Sequence, residues 1–128
     1  MSFDWSEYLT LAQALGGEDV ATSGEARLRS ADSRAYYAVY GTAQIVARSR
    51  DGYIPQRTDT SHQGLINHFK NSPDRKRKAV GANLERLLKN RVSADYERRF
   101  PGELSFTVKM TLSLAASVLQ DLERLRTS

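Results

Sequence analysis

A chain of 128 residues, 40% hydrophobic and 27% charged, fits one soluble globular domain with a single core, so residues 1–128 are read as one unit. No stretch approaches the roughly 20 apolar residues of a membrane span, and the absence of cysteine excludes disulfides, thiolate catalysis and thiolate metal sites. Of the charges, residues 1–33 hold two bases against six acids, residues 34–100 fourteen against six, and residues 101–128 three of each, which concentrates the positive field in the middle of the chain.

The opening MSFDWSEYL carries acids where a secretion signal would carry Lys or Arg, so the cytoplasm is the expected location. Five segments then show helical periodicity and none shows the alternation of a strand. The first, about 3–15, lines up Trp5, Tyr8, Leu9, Ala12 and Leu15, and GGEDVATSG breaks it with Gly16 at the expected C-cap. The second, about 24–50, carries Leu28, Ala31, Ala35, Val39, Thr42 and Val46, and the loop DGYIPQRTDT ends it. The third, about 61–70, turns Leu65, Ile66 and Phe69 inward, with Thr60 or Ser61 as its cap.

Ser72-Pro73 opens the fourth helix, about 73–98, with serine as cap and proline in the first turn. Val80, Leu84, Leu87 and Leu88 form its stripe, and Phe100-Pro101-Gly102 stops it. The basic run Arg75, Lys76, Arg77 and Lys78 violates the rule that a helix start favours acids. Either the helix begins near Ala79 and the run is loop, or the run stands there for a polyanion such as nucleic acid. The fifth helix, about 103–126, carries Leu104, Val108, Leu112, Ala115, Leu119 and Leu122. The fold class is all-α, a helical bundle whose body is the second, fourth and fifth helices.

Several chemistries are missing. Neither His62 nor His68 has a glutamate three residues before it, as a helical di-metal site requires, and neither metal nor cofactor is expected. No phosphate-binding glycine loop, serine-hydrolase elbow or zinc-protease motif occurs. Three clusters remain. In SRAYYAVYGTAQ, Tyr37 and Tyr40 share a side with Ser33, Gly41 and Gln44, while Tyr36 turns toward Ala35 and Val39; each tyrosine taken alone reads as a filler at the core's edge. In TSHQGLINHF, His62 belongs to the inward side and His68 to the outward one, and His62 serves either as a structural hydrogen-bonder or as a proton carrier. In RVSADYERRF, Arg91 and Asp95 stand four apart; exposed, such a pair contributes a few tenths of a kcal/mol, roughly. In a cleft with Tyr96, the same guanidinium suits a phosphate.

Taken together, RSADSRAYYAVY from Arg29, SHQGLINHF from Ser61 and RVSADYE from Arg91 resemble the small stand-alone form of the HEPN domain (higher eukaryotes and prokaryotes nucleotide-binding), over about residues 24–125. The resemblance implies an up-and-down four- or five-helix bundle, a two-fold dimer, and binding of a nucleotide or RNA. It also implies a minimal nucleotidyltransferase partner that neutralises a toxin. Its ligand site would comprise Arg34, Tyr37, His62, Arg91, Asp95 and Tyr96, with the run at 75–78 contacting nucleic acid. Catalytic members are metal-independent ribonucleases marked by arginine, four to six residues, then histidine. Here Arg91 is followed by Val92 through Arg98 with no histidine, and Arg34 reaches Gly41 where some relatives show one. The leading expectation is therefore a non-catalytic binding module. A ribonuclease using Arg91 with His62 and Tyr96 as catalytic groups is the alternative, and a structural dimerisation or partner domain without ligand is the third.

Overall fold

The computed structural model describes residues 3–17, 24–55, 61–100 and 103–127, and the side chain of Ser61 is not among those described. Within these residues the chain forms five α-helices: α1 Glu7–Gly16, α2 Gly24–Asp51, α3 Ser61–Lys70, α4 Arg75–Tyr96 and α5 Leu104–Thr127. This is the expected helical bundle, and none of its helices is long and apolar enough to cross a membrane. The expected cap at Thr60 or Ser61, the GEDVATS portion of the first break and the Pro101-Gly102 stop lie wholly or partly outside the described residues.

α2 is the axis of the bundle, in contact with each of the other four helices. A helix enclosed in this way must be thin, and its buried residues include Ala31, Ala35, Ala38, Gly41, Ala43 and Ala47 alongside Tyr36, Val39 and Val46. α3 adds Leu65, Ile66 and Phe69 to the common core, α4 adds Val80, Leu84 and Leu87, and α5 adds Ala115, Val118 and Leu122. Two of the closest approaches run through glycine. A Cβ on Gly41 would stand 1.9 Å from Trp5 Cδ2, so the indole of the chain's one tryptophan lies directly on the α2 backbone. A Cβ on Gly81 would stand 2.6 Å from Lys70 Cγ and 3.0 Å from the Ile66 carbonyl, so the end of α3 crosses α4 there.

Two helix ends differ from expectation. Gly16 is the last residue of α1, and the capping residue is Gly17 in an extended conformation at φ −73°; the carbonyls left open are met from α2, where the Arg27 guanidinium donates to the Leu15 carbonyl at 2.8 Å and to that of Gly17. At α4 the cap is Asp74, whose carboxylate accepts from the Arg77 amide at 3.1 Å, while Ser72 Oγ accepts from the Asp74 amide one step earlier. The acid is the better cap because it also opposes the helix dipole and the bases that follow it. The basic run thus occupies the first turn of α4.

Arg77 in that run is committed to the fold. Asp51 at the end of α2 accepts from Arg77 Nη1 at 2.6 Å and pairs with His68 Nε2 at 2.8 Å, while the Arg77 guanidinium lies over the Phe69 ring. Burial pushes the Asp51 carboxyl up, but the hydrogen bonds from Arg77 and His68 prevail and hold it below the usual carboxylate range. His68, expected on the outward side, is half-buried by this pairing and by the Tyr53 ring at 4.7 Å. Gly52, at φ 65°, supplies the left-handed turn that ends α2.

Gly41→Ala tests the indole contact. Strain from the added methyl costs about 1–3 kcal/mol, and the helical preference of alanine over glycine offsets about 1 kcal/mol. The expected result is a modest fall in the urea midpoint together with a red shift of Trp5 emission. An unchanged emission spectrum would mean that the indole does not rest on Gly41.

Candidate functional site

The short Asn71–Asp74 connection turns the chain back on itself, so α3 runs antiparallel to α4, with Phe69 beside Arg77 and Lys70 Nζ 3.1 Å from Glu85. From Lys70 back to His62 the helix rises about 12 Å, and from Gly81 forward to Arg91 about 15 Å. Imidazole and guanidinium therefore arrive at the same level of the bundle, where α2 presents its tyrosines. The His62 ring lies 4.5 Å from that of Tyr40, 5.6 Å from Tyr36 and 6.3 Å from Tyr37. The Arg91 guanidinium lies 5.2 Å from the Tyr37 ring centre and 5.8 Å from that of Tyr96.

On the far side of this cluster the Arg34 guanidinium stands 5.7 Å from the same Tyr37 ring and 5.4 Å from that of Tyr8. Both distances fall within the range of cation–π attraction. Arg91 Nε pairs with Asp95 Oδ2 at 3.0 Å; the two side chains are 15% and 29% exposed, so this is a partly desolvated pair. Ser33 Oγ donates weakly to the same carboxylate oxygen at 3.4 Å. Among the described residues no carboxylate pairs with Arg34. The expected set of Arg34, Tyr37, His62, Arg91, Asp95 and Tyr96 is thus one connected cluster drawn from α2, α3 and α4. Tyr96, at 74% exposed, forms its outer wall.

Burial lowers the pKa of His62 from the usual imidazole value and the Arg91 charge lowers it further, so the ring is neutral at pH 7. Its Nδ1 lies 2.6 Å from the hydroxyl of Tyr36, a wholly buried residue. Burial, then the neighbouring Tyr40 and Tyr37, push the Tyr36 phenol up. Sequence reasoning assigned Tyr36 to the core, which is correct for its ring and incomplete for its hydroxyl.

The basic run lies elsewhere. Arg77 and Arg91 are separated by about 21 Å of helix, and in the run Arg75, Lys76 and Lys78 are exposed while Arg77 is held by Asp51. Gly41 is covered by Trp5, so an imidazole at that position would require α1 to move. A groove of about 790 Å³ between α1, α2 and α5, floored by Trp5, Leu9 and Ile45, contains none of the expected site residues. Its rim carries Asp4 and Glu123 against Arg126, a balance that does not favour an anion. Among the described residues no group of three or more His, Cys, Asp or Glu could hold a metal.

One polar group next to the site is not among the expected site residues. Asp32 is fully buried, and neither carboxylate oxygen has a hydrogen-bond partner among the described residues. Burial pushes its pKa up to about 6, opposed by the Thr111 hydroxyl and assisted by the charge of Asp95. Thr111 accepts from Asn90 at 3.3 Å, and its hydroxyl is near enough to favour the ionised acid without well-formed geometry to either oxygen. The sequence did carry a signal for this burial: Asp32 stands four after Leu28 and four before Tyr36, on the inward stripe. Beside it, Arg29 reaches the end of α4, with Nη1 donating to the carbonyls of Ala94 at 3.0 Å and Glu97 at 2.6 Å and Nη2 to that of Arg98 at 3.3 Å. This arginine caps the helix that carries Arg91, Asp95 and Tyr96.

The chain matches no family model, no curated protein and no solved structure.

A carboxyl that is a weaker acid in the folded chain makes the native state bind more protons than the unfolded one between about pH 4 and 6. Stability from Asp32 is therefore present below pH 4 and lost as pH rises through 6. The two pKa values, 3.8 and about 6, convert to about 3 kcal/mol across that window. Asp32→Asn, which cannot ionise, is expected to gain stability relative to the parent between pH 4 and 7, measured as the difference in denaturant unfolding free energy. A difference independent of pH would contradict the burial of an ionising Asp32.

Proposed function

We propose that this protein is a HEPN-type module that binds a nucleotide or a single-stranded RNA at the Arg34–Tyr37–His62–Arg91 cluster, as one half of a pair with a minimal nucleotidyltransferase. The observation that carries the reading is that two guanidinium groups lie near one phenol ring, with one carboxylate, Asp95, paired to Arg91 and a neutral imidazole alongside. That leaves surplus positive charge among aromatic rings, at a place reached by solvent through Tyr96 and His62. Phosphate oxygens satisfy the guanidinium groups, Arg91 after release or sharing of Asp95, and a base finds aromatic faces to stack on.

The helical class and the antiparallel α3–α4 pair support an up-and-down bundle of HEPN type, and the three sequence clusters in order along α2, α3 and α4 support the family. Exposed apolar residues Val92 at 41%, Phe106 at 62% and Met110 at 54% support a further contact, with a second copy of the chain or with the partner. Arg75, Lys76 and Lys78 extend the basic field along α4, so a longer RNA has a second place to rest its backbone.

Titration of the purified protein with a fluorescent RNA oligonucleotide and with ATP at low salt tests the reading. Losing one charge-assisted contact of about 1.5–3 kcal/mol weakens binding roughly 10- to 100-fold. Arg34→Ala and Arg91→Ala are each expected to fall in this range for both ligands. Charge removal at Arg75, Lys76 and Lys78 is expected to weaken RNA alone and to flatten its salt dependence. Equal affinity in Arg34→Ala, Arg91→Ala and the parent overturns the assignment of the site. RNA cleavage in EDTA that disappears in Arg91→Ala overturns the non-catalytic reading in favour of a ribonuclease.

A further inference from the structure

The Tyr36–His62 contact has a direction that chemistry decides. A phenol carries one proton and needs an acceptor for it when buried. Tyr36 is wholly buried, and among the described residues the one hydrogen-bond partner of its hydroxyl is His62 Nδ1 at 2.6 Å. If Nδ1 instead carried the hydrogen, the phenol proton would be left without an acceptor among the described residues, an arrangement costing about 1–3 kcal/mol. The phenol therefore donates and Nδ1 accepts. A neutral imidazole has one hydrogen, and with the Nδ1 lone pair occupied that hydrogen resides on Nε2. The ring is further held by Tyr40, tilted 33° to it at 4.5 Å. Nε2 is not among the buried atoms lacking a partner, and no protein group among the described residues bonds to it.

We infer that Tyr36 is a positioning residue that fixes His62 as the Nε2–H tautomer, so that the site offers its ligand a neutral hydrogen-bond donor for a phosphate oxygen and no free imidazole lone pair. The inference rests on the anion-binding reading of this cluster and deepens it. The groups facing the imidazole are Tyr36, Tyr37 and Tyr40 from α2 and Arg91 from α4. None is an acid that would favour the imidazolium, and the guanidinium opposes it. Neutral N–H is too weak an acid, and an occupied Nδ1 too poor a base, for the proton shuttling that a ribonuclease histidine performs. The same ring is well suited to binding, because its hydrogen is aimed before the ligand arrives.

Nitrogen-15 histidine labelling of the full chain, read by long-range proton–nitrogen correlation, tests this without ligand. The expected His62 spectrum is Nε2 protonated, with a pyridine-type Nδ1 shifted by an accepted hydrogen bond. In Tyr36→Phe that shift disappears and His62 titrates at higher pH than in the parent. A parent spectrum with Nδ1 protonated, or identical titration of His62 in the two proteins, overturns the inference.

The ligand half is read with the RNA oligonucleotide and with inorganic phosphate. His62→Ala is expected to weaken binding about tenfold, and His62→Gln, which keeps an N–H donor and has no titratable proton, to restore most of that loss. This arm also covers the case in which Tyr36→Phe fails to fold. Equal weakening by alanine and glutamine overturns the donor role. Binding that depends on Arg34 while the His62 Nε2 signal stays unmoved overturns the inference and leaves the functional reading standing. No binding by the parent overturns the functional reading and the ligand half together, with the tautomer still decided by the ligand-free spectrum.

Discussion

The enclosure of α2 by four other helices is the constraint on which the molecule depends. A helix packed against four others buries much of its surface, so its buried positions are drawn mainly from alanine, glycine and serine, with a few large residues where a gap must be filled. The same enclosure explains why the exceptions on α2 are informative. Arg27 and Arg29 enter a crowded seam because each meets carbonyls at the end of another helix. Tyr36 is tolerated because its hydroxyl meets His62 Nδ1. Asp32 is different: neither of its carboxylate oxygens has a partner among the described residues, and it feels the charge of Asp95.

The site inherits its rigidity from those exceptions. Arg91, Asp95 and Tyr96 occupy the last turns of α4, a region that would fray if its final carbonyls were left to water. Arg29 closes that end from α2, the helix that carries Arg34 and Tyr37 only a turn or two further on. Guanidinium groups on separate helices are thus held in register through backbone contacts. The Asp51–His68–Arg77 junction performs the corresponding service at the other end of α3 and α4, beside the exposed Arg75, Lys76 and Lys78.

Much of this was legible in the letters because the relevant signals are periodic. The stripes of all five helices emerge where spacing placed them, with Ala12, Val39, Leu84 and Leu122 among the most buried residues. The clustering of His62 with Arg91 was legible only as a conditional, since it depends on α3 folding back along α4, and the short connection that enforces this becomes decisive only once Gly81 is seen under Lys70. Caps were harder: Ser72 and Asp74 are both good capping residues two positions apart, and the choice turns on charge against the basic first turn. The hydroxyl of Tyr36 was illegible because helical spacing assigns a side chain to a face and says nothing of what its tip touches. Asp32 was overlooked because a charge in a sequence reads as surface until its neighbours on the stripe are counted.

The close crossing at Gly81 bears on how such a chain can vary in length. Because α3 and α4 are pinned there with hardly an atom's clearance, a residue inserted or deleted between His62 and Lys70, or between Gly81 and Arg91, would rotate everything beyond it by about 100° around its helix. The imidazole would turn into the core or out to water, and the guanidinium would leave the phenol it shares. Length changes elsewhere, in the connections after Gly17 or after Pro55, leave that register untouched. Divergent versions of this chain are therefore expected to vary in length elsewhere while these two short spans keep a constant count, a pattern that sorts distant kin from chance look-alikes.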